Sequence, residues 1–466
     1  MNMAREYRGI IILTALALAL AGGVYARGQY LLHYTPAAEL PADFADLGWG
    51  AGVPTLLQAL PTVRPLTVLF FAATVAVAAL TGRAWAGKMT GMLTGTAALL
   101  SAPLLLNCLA SPWRGALLLL WSVLLLWTAR AEERRSAALA GGLLAGGLAG
   151  VNLLFVLPLV WLACRQPRGR RLLLLSAGAA AMVITLAVMP LVGHGLRAEV
   201  HDLLNGPAVA GIDNDLRWQV WRFTRADALF GAQLALHEWW RAVTASPWPT
   251  LTAWGGNALR LLGAAEGDDT YPWTVVRTYD WQLRLLPGWA VFWVLGALGW
   301  RSVTAEQRWQ LLPFMVFPVL AGIFLSPTLW WRALLTVPLC YLAARGVLLV
   351  QAQEARALAW ACVLLAMLAG HWLLPNVPSP SLWRGLALVA VHHAEPADGL
   401  RMAQARATRH PQDEEAWWLA HYAALRAGEP TLAAHCLVRA ALATANAGRR
   451  AGYLTELRQI QTTILR

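Results

Sequence analysis

The stretch AALAGGLLAGGLAGVNLLFVLPLVWLA, Ala137 to Ala163, decides how this chain folds. It carries no charge over about 27 positions. At about 1.5 Å per residue, that is too long for one comfortable helical crossing of a hydrocarbon core about 30 Å thick. Arg134 and Arg135 precede it, and Arg165, Arg168, Arg170 and Arg171 follow it. Basic residues collect on the cytoplasmic side of a membrane, so both ends belong on the same side. A hairpin of two short helices that enters the bilayer and returns meets both demands. The Gly-rich segment GGLLAGGLAGVN (Gly141 to Asn152) is the expected turn, shielded by neighbouring helices.

Composition extends this reading to the whole chain. Of 466 residues, 58% are hydrophobic and 13% charged, about half the charged share of soluble domains. The fold expected is therefore an all-α integral membrane protein, with membrane lipid as its solvent. The net charge of +12 does not indicate nucleic acid, because the arginines fall in short clusters between apolar runs and Lys88 is the only lysine. That distribution describes topology. The five cysteines (Cys108, Cys164, Cys340, Cys362, Cys436) show neither CxxC nor His/Cys spacing, so no disulfide framework or zinc site is indicated.

Upstream, Arg5 and Arg8 precede an apolar run from Ile10 to Tyr25, read as a first span or a slightly long signal peptide. Either reading places Gly28 to Pro65 outside as a polar, proline-bearing loop. Apolar runs follow at Leu66 to Leu80, Met89 to Leu109 and Gly115 to Thr128, with Arg83 and Lys88 in one connector and Arg130, Arg134 and Arg135 in another. Downstream, Leu172 to Val192 leads out to an external segment, Gly193 to Leu286, rich in Trp and interleaved with Arg, Asp and Glu. Four further runs, Trp289 to Trp300, Leu311 to Leu325, Ala333 to Val350 and Ala357 to Leu374, complete a polytopic domain over 1–374.

Residues 375–394 begin with PNVPSPS and read as a linker. Beyond them, RMAQARATRHPQDEEAWWLAHYAALRAGEPTLAAHCLVRAAL has the spacing of paired helices, with Pro411 at a turn and Gly428 closing a helix. Residues 395–466 resemble a tetratricopeptide repeat, a helix-turn-helix unit of roughly 34 residues. Such units offer a groove for a protein partner. By parity this tail is extracytoplasmic.

Three stretches together resemble the bacterial GT-C glycosyltransferases, polytopic enzymes similar to protein O-mannosyltransferases and the lipid A aminoarabinose transferase. They are AGGLLAGGLAGVNLLFVLPLVWLACRQPRGRR (Ala140 to Arg171), HEWWRAVTASPWPTLTAWGGNALRLLGAAEGDDTYPWTVVRTYDWQLRLLPGW (His237 to Trp289) and SPTLWWRALLTVPLCYLAARGV (Ser326 to Val347). They cover much of residues 137–350. The resemblance implies a GT-C-like helical bundle with a large external loop subdomain and a C-terminal helical-repeat tail, in a bacterial inner membrane. It implies transfer of a sugar from a polyprenyl-phosphate donor to an extracytoplasmic acceptor.

That chemistry requires a carboxylate as general base and cations for the donor phosphate. The first external loop, AAELPADFADLGWG, offers Glu39, Asp43 and Asp46 as base, and each also reads as a solvated loop acid. Arg332 matches the family's arginine and can bind phosphate bidentately; an interfacial anchor that snorkels from a helix end is the alternative. Arg277 and Arg217 are secondary phosphate candidates, with a surface or local salt-bridge residue the leading reading of each. Glu266, Asp268 and Asp269 can contact sugar hydroxyls or a divalent metal ion, although a polar turn also accounts for EGDD. His392 and His393, with no third ligand nearby, are read as structural. The loop lacks the family's acidic-aromatic motif, and the turn LASPWR lacks a carboxylate. Two rival functions therefore stand beside catalysis. One is a transporter, which the nearly charge-free spans disfavour. The other is a non-catalytic subunit or assembly factor that recruits a protein through the tail.

Overall fold

The computed structural model describes residues 2–33, 66–110, 112–130, 135–151, 155–188, 237–262 in part, 286–324, 329–353, 356–365 in part, 396–409, 411–444 apart from 413, and 447–464. The described residues are helical and include no strand. Their contacts form two compact units, one holding the first helix as far as Gly28 and the helices from Leu66 to Gln351, the other holding those from Pro396 to Ile464.

In the first unit, α1 (Asn2–His33) presents Leu13, Ala17, Ala21 and Val24 inward at helical spacing and leaves Ile11, Ile12 and Leu16 exposed. An apolar residue on both faces suits a helix with protein on one side and lipid on the other. Helix α2 (Leu66–Leu99) would be about 51 Å long if straight, well over a bilayer core. It reverses instead at Ala86 and Gly87. Gly87 has φ 84°, a conformation open to glycine and strained for other residues. The two arms pack through small residues: Gly82 meets Thr94, and Gly95 meets Ala79. Buried threonines cost little here because each hydroxyl donates to the carbonyl one turn back, as in Thr74 to Phe70 at 2.8 Å and Thr94 to Thr90 at 2.7 Å.

The chain continues through α3 (Ala102–Ala110), opened by Ser101, whose Oγ accepts from Leu104 N–H at 3.3 Å, and then α4 (Pro112–Arg130). Next come α5 (Arg135–Val151), α6 (Val156–Cys164) and α7 (Arg168–Val188). The turn expected within Gly141 to Asn152 does not fall in its glycine-rich part, because Gly141 to Val151 lies inside α5; Asn152 is outside the described residues. Glycines 142, 146 and 150, one turn apart, form a face against Leu174, Gly178 and Met182 of α7. Missing Cβ atoms there serve close helix packing instead of a break. Both sets of numbers ascend together, so α5 and α7 run parallel and α6 returns the chain. The arginines of both N-termini thus lie at one end, as the hairpin argument requires.

Helix α8 (Pro247–Leu262) packs on α10 (Ala305–Phe324), with Asn257 Nδ2 donating to Ile323 O at 2.9 Å. Helices α9 (Trp289–Arg301) and α11 (Leu329–Gln351) are again parallel: Gly299 lies against Leu342 and Gly346, and Arg345 Nη2 donates to Ser302 O at 2.9 Å. Two basic turns close in the same way. Arg171 donates to the final carbonyls of α6, Ala163 and Cys164, and Arg308 to those of α9, Trp300 and Arg301. These arginines satisfy carbonyls that a helix end leaves open and suit its negative pole. The capping box of α10, in which Thr304 and Gln307 exchange backbone–side-chain bonds at 3.3 Å, adds a hub. Gln307 also donates to Trp85 O and accepts from Tyr341 O–H.

Tyr7 with Arg83, Trp85 with Gln307, and Arg165 with Trp309 then gather the basic turns at one end of the unit. Three helical stretches, Tyr7–Val24, Leu66–Leu99 and Trp330–Gln351, are long and apolar enough to cross a membrane. This is a helical protein compatible with a membrane, and the reversal at Gly87 makes the second stretch two arms.

In the second unit, α12 (Pro396–Arg409), α13 (Glu414–Arg426), α14 (Pro430–Ala443) and α15 (Ala447–Ile464) each pack on the next in the chain. Gly428, at φ 77°, ends α13, and Pro430 opens α14. Buried His421 on α13 bonds Ala433 O at 2.9 Å and Glu456 at 3.1 Å, while Tyr453 O–H donates to Glu414 at 2.9 Å. Burial and the Glu414 carboxylate push the Tyr453 phenol well above its usual range.

Candidate functional site

The end of the first unit opposite the basic turns is organised around Arg332. It lies on the first turn of α11, a helix in contact with α2, α3, α4, α9 and α10. Its exposure is 0%. The sequence alternative of an interfacial anchor is therefore corrected: the side chain is fully buried and faces Trp289 of α9. Its position beside an apolar run did not reveal that enclosure, because the neighbours come from distant parts of the chain.

The Arg332 guanidinium carbon lies 5.9 Å from the ring centroid of Trp289, an attractive cation–π arrangement. Trp289 is itself fully buried and donates Nε1–H to Leu261 O at 3.1 Å. The last turn of α8 thereby fixes the indole that faces Arg332. Leu261 also touches Gly322 of α10. Beneath Arg332, Thr336 Oγ1 donates to its carbonyl at 2.7 Å. Trp331 meets Phe317 edge-on at 5.7 Å, and Phe317 belongs to an aromatic layer with Trp121, Phe155 and Phe314. Trp121 Nε1–H donates to Leu334 O at 3.1 Å, locking α4 to α11 two residues beyond Arg332.

A second arginine marks the same end. Arg114, at the start of α4, donates to the Oδ1 of buried Asn107 at 3.4 Å, and Asn107 Nδ2 donates to Pro103 O at 3.0 Å. A buried guanidinium faced by an indole is a group suited to binding a phosphate or another oxyanion bidentately.

Of the residues expected from sequence, Arg332 alone can be located. Glu39, Asp43, Asp46, Arg217, Glu266, Asp268, Asp269 and Arg277 lie outside the described residues, as do His392 and His393. Sequence reasoning missed Trp289, Leu261 and Asn107 as parts of this end. Trp289 carried a signal, a Trp opening an apolar run after Pro287, but nothing local paired it with Arg332. Among the described residues no group of three or more His, Cys, Asp or Glu side chains can hold a metal ion. Comparison with models of known protein families and with curated proteins finds no match.

Proposed function

We propose that the chain is a membrane glycosyltransferase of GT-C type that moves a sugar from a polyprenyl-phosphate donor to an acceptor at the external face of a bacterial inner membrane. The observation that carries this reading is Arg332, an arginine enclosed at the end of the bundle away from the basic turns and faced by Trp289. Burying a charged side chain inside a helical bundle is costly, and buried charges in membrane proteins commonly mark function. In this reading the guanidinium holds the donor phosphate and stabilises the charge that develops on it as the sugar–phosphate bond breaks. One carboxylate of the first external loop, Asp43 or Asp46 ahead of Glu39, takes the proton of the acceptor as its oxygen attacks the sugar carbon. Arg277 and Arg217 assist with phosphate, and Glu266, Asp268 and Asp269 contact sugar or acceptor hydroxyls.

The test is transfer of radiolabelled sugar from a panel of polyprenyl-phosphate donors by the purified protein. The reading expects transfer by wild type, with losses of at least roughly a hundredfold in Asp43→Asn or Asp46→Asn and in Arg332→Ala, each variant remaining folded. Absence of transfer from every donor by intact protein overturns it.

The tail supports a second reading, a non-catalytic subunit that recruits a protein partner through residues 395–466. Its four helices form a compact unit and leave Leu442 of α14 71% exposed. Capture of one defined partner that depends on Leu442, by a protein inactive with all donors, favours this reading over catalysis.

A further inference from the structure

The reversal of α2 leaves a notch against α1 at the basic end of the first unit. Gly9 and Ile10 line it from α1, and Arg83, Lys88, Gly91 and Met92 from the two arms of α2. The two cations stand on either side of the turn at Ala86 and Gly87, so the fold itself brings them to one opening. The Arg83 guanidinium is held over the Tyr7 ring, 4.4 Å from its centroid. Gly91 lies under Arg83: a Cβ there would come within 2.8 Å of the Arg83 Cβ. A Cβ on Gly9 would strike the Met92 side chain. The notch therefore has a glycine floor, a basic mouth and the apolar walls Ile10 and Met92.

An apolar side chain also borders the mouth in sequence: Met89, next to Lys88, is 58% exposed. A phosphate-bearing anion matches the cations, and two sources share that chemistry, free phosphate and a lipid headgroup. The apolar walls and exposed Met89 favour the lipid, since acyl chains can lie along Ile10, Met92 and Met89 while the phosphodiester meets Arg83 and Lys88. Basic pockets between membrane helices on the basic side bind anionic headgroups in this manner.

We propose that this notch is a binding site for the headgroup of an anionic phospholipid in the leaflet at the basic end. The site needs the membrane reading but not the glycosyltransferase reading, because it lies at the other end of the unit from Arg332. Its role is to fix α1 against the α2 hairpin through a lipid bridge.

The test is native mass spectrometry of the full chain in detergent, titrated with phosphatidylglycerol, phosphatidylcholine or inorganic phosphate. Wild type should retain one phosphatidylglycerol, with retention roughly tenfold weaker in Lys88→Gln and in Arg83→Gln. Arg301→Gln, an exposed arginine at a different turn, should bind as wild type does, and inorganic phosphate should not displace the lipid. Lys88 is exposed, so Lys88→Gln keeps the test valid if Arg83→Gln disturbs packing against Tyr7. The proposal is overturned if Lys88→Gln retains phosphatidylglycerol like wild type, or if Arg301→Gln loses it equally. It is also overturned if phosphatidylcholine binds as well, or if free phosphate displaces the lipid.

Discussion

Arg332 and Gly87 illustrate two ways in which a single residue constrains this protein. At Gly87 the constraint is conformational, because φ 84° takes the chain around the α2 turn. A Cβ there meets no neighbouring atom, so the cost of Gly87→Ala is backbone strain alone: φ 84° with ψ −179° is a conformation held almost only by glycine, and a loss of about 1–3 kcal/mol is expected. Thermal unfolding in detergent should show the loss, while Gly22→Ala, in open space on a regular helix, should be neutral or slightly stabilising. At Arg332 the constraint is electrostatic, since the side chain is fully enclosed. The sequence marked Arg332 as a candidate through its place before an apolar run, but a snorkelling anchor and an enclosed cation share that local pattern. Trp289, which separates the two readings, is 43 positions upstream.

Helices meet in this protein largely through glycine, and that shapes what the sequence discloses at the level of elements. The Gly-rich stretch of α5 was legible as special, and the return of the chain to one side was legible from the flanking arginines. The glycines' purpose was not, because a missing Cβ serves a turn or a close approach equally well. The parallel partner α7, with Gly178 opposite Gly146, decides for close approach. Gly146→Leu should force α5 and α7 apart and cost about 1–3 kcal/mol or more, measurable as a lower unfolding midpoint. Gly147→Leu, with nothing within reach of its Cβ, should be tolerated. The arginine caps make a second case. Arg308→Ala opens the carbonyls of Trp300 and Arg301, and an effect of about 1–2 kcal/mol is expected.

Across the whole molecule, the basic turns of the first unit share one end and Arg332 lies at the other. Charge distribution alone predicted the grouping of the turns, since Arg and Lys fall in alternate connectors. The enclosure of Arg332 was hidden because it depends on which of many similar apolar helices surround α11. Cys164, exposed at the α6–α7 turn, reports the sidedness: in a Cys362→Ser background, a membrane-impermeant maleimide should label it in cells only after permeabilisation. Labelling of intact cells would reverse the topology. In the tail, burial pushes the Cys436 thiol up to about 11, so it should react far more slowly than Cys164 under conditions that reach both.

If Arg332 receives the phosphate of a lipid-linked donor, polyprenyl-phosphate binding to the full chain in nanodiscs depends on its side chain. Wild type should be compared with Arg332→Lys and Arg332→Gln. Binding should be roughly tenfold weaker for Arg332→Gln, with an intermediate loss for Arg332→Lys, which keeps the charge but not the fork. Equal affinity in all three proteins, each with an intact fold, would contradict it.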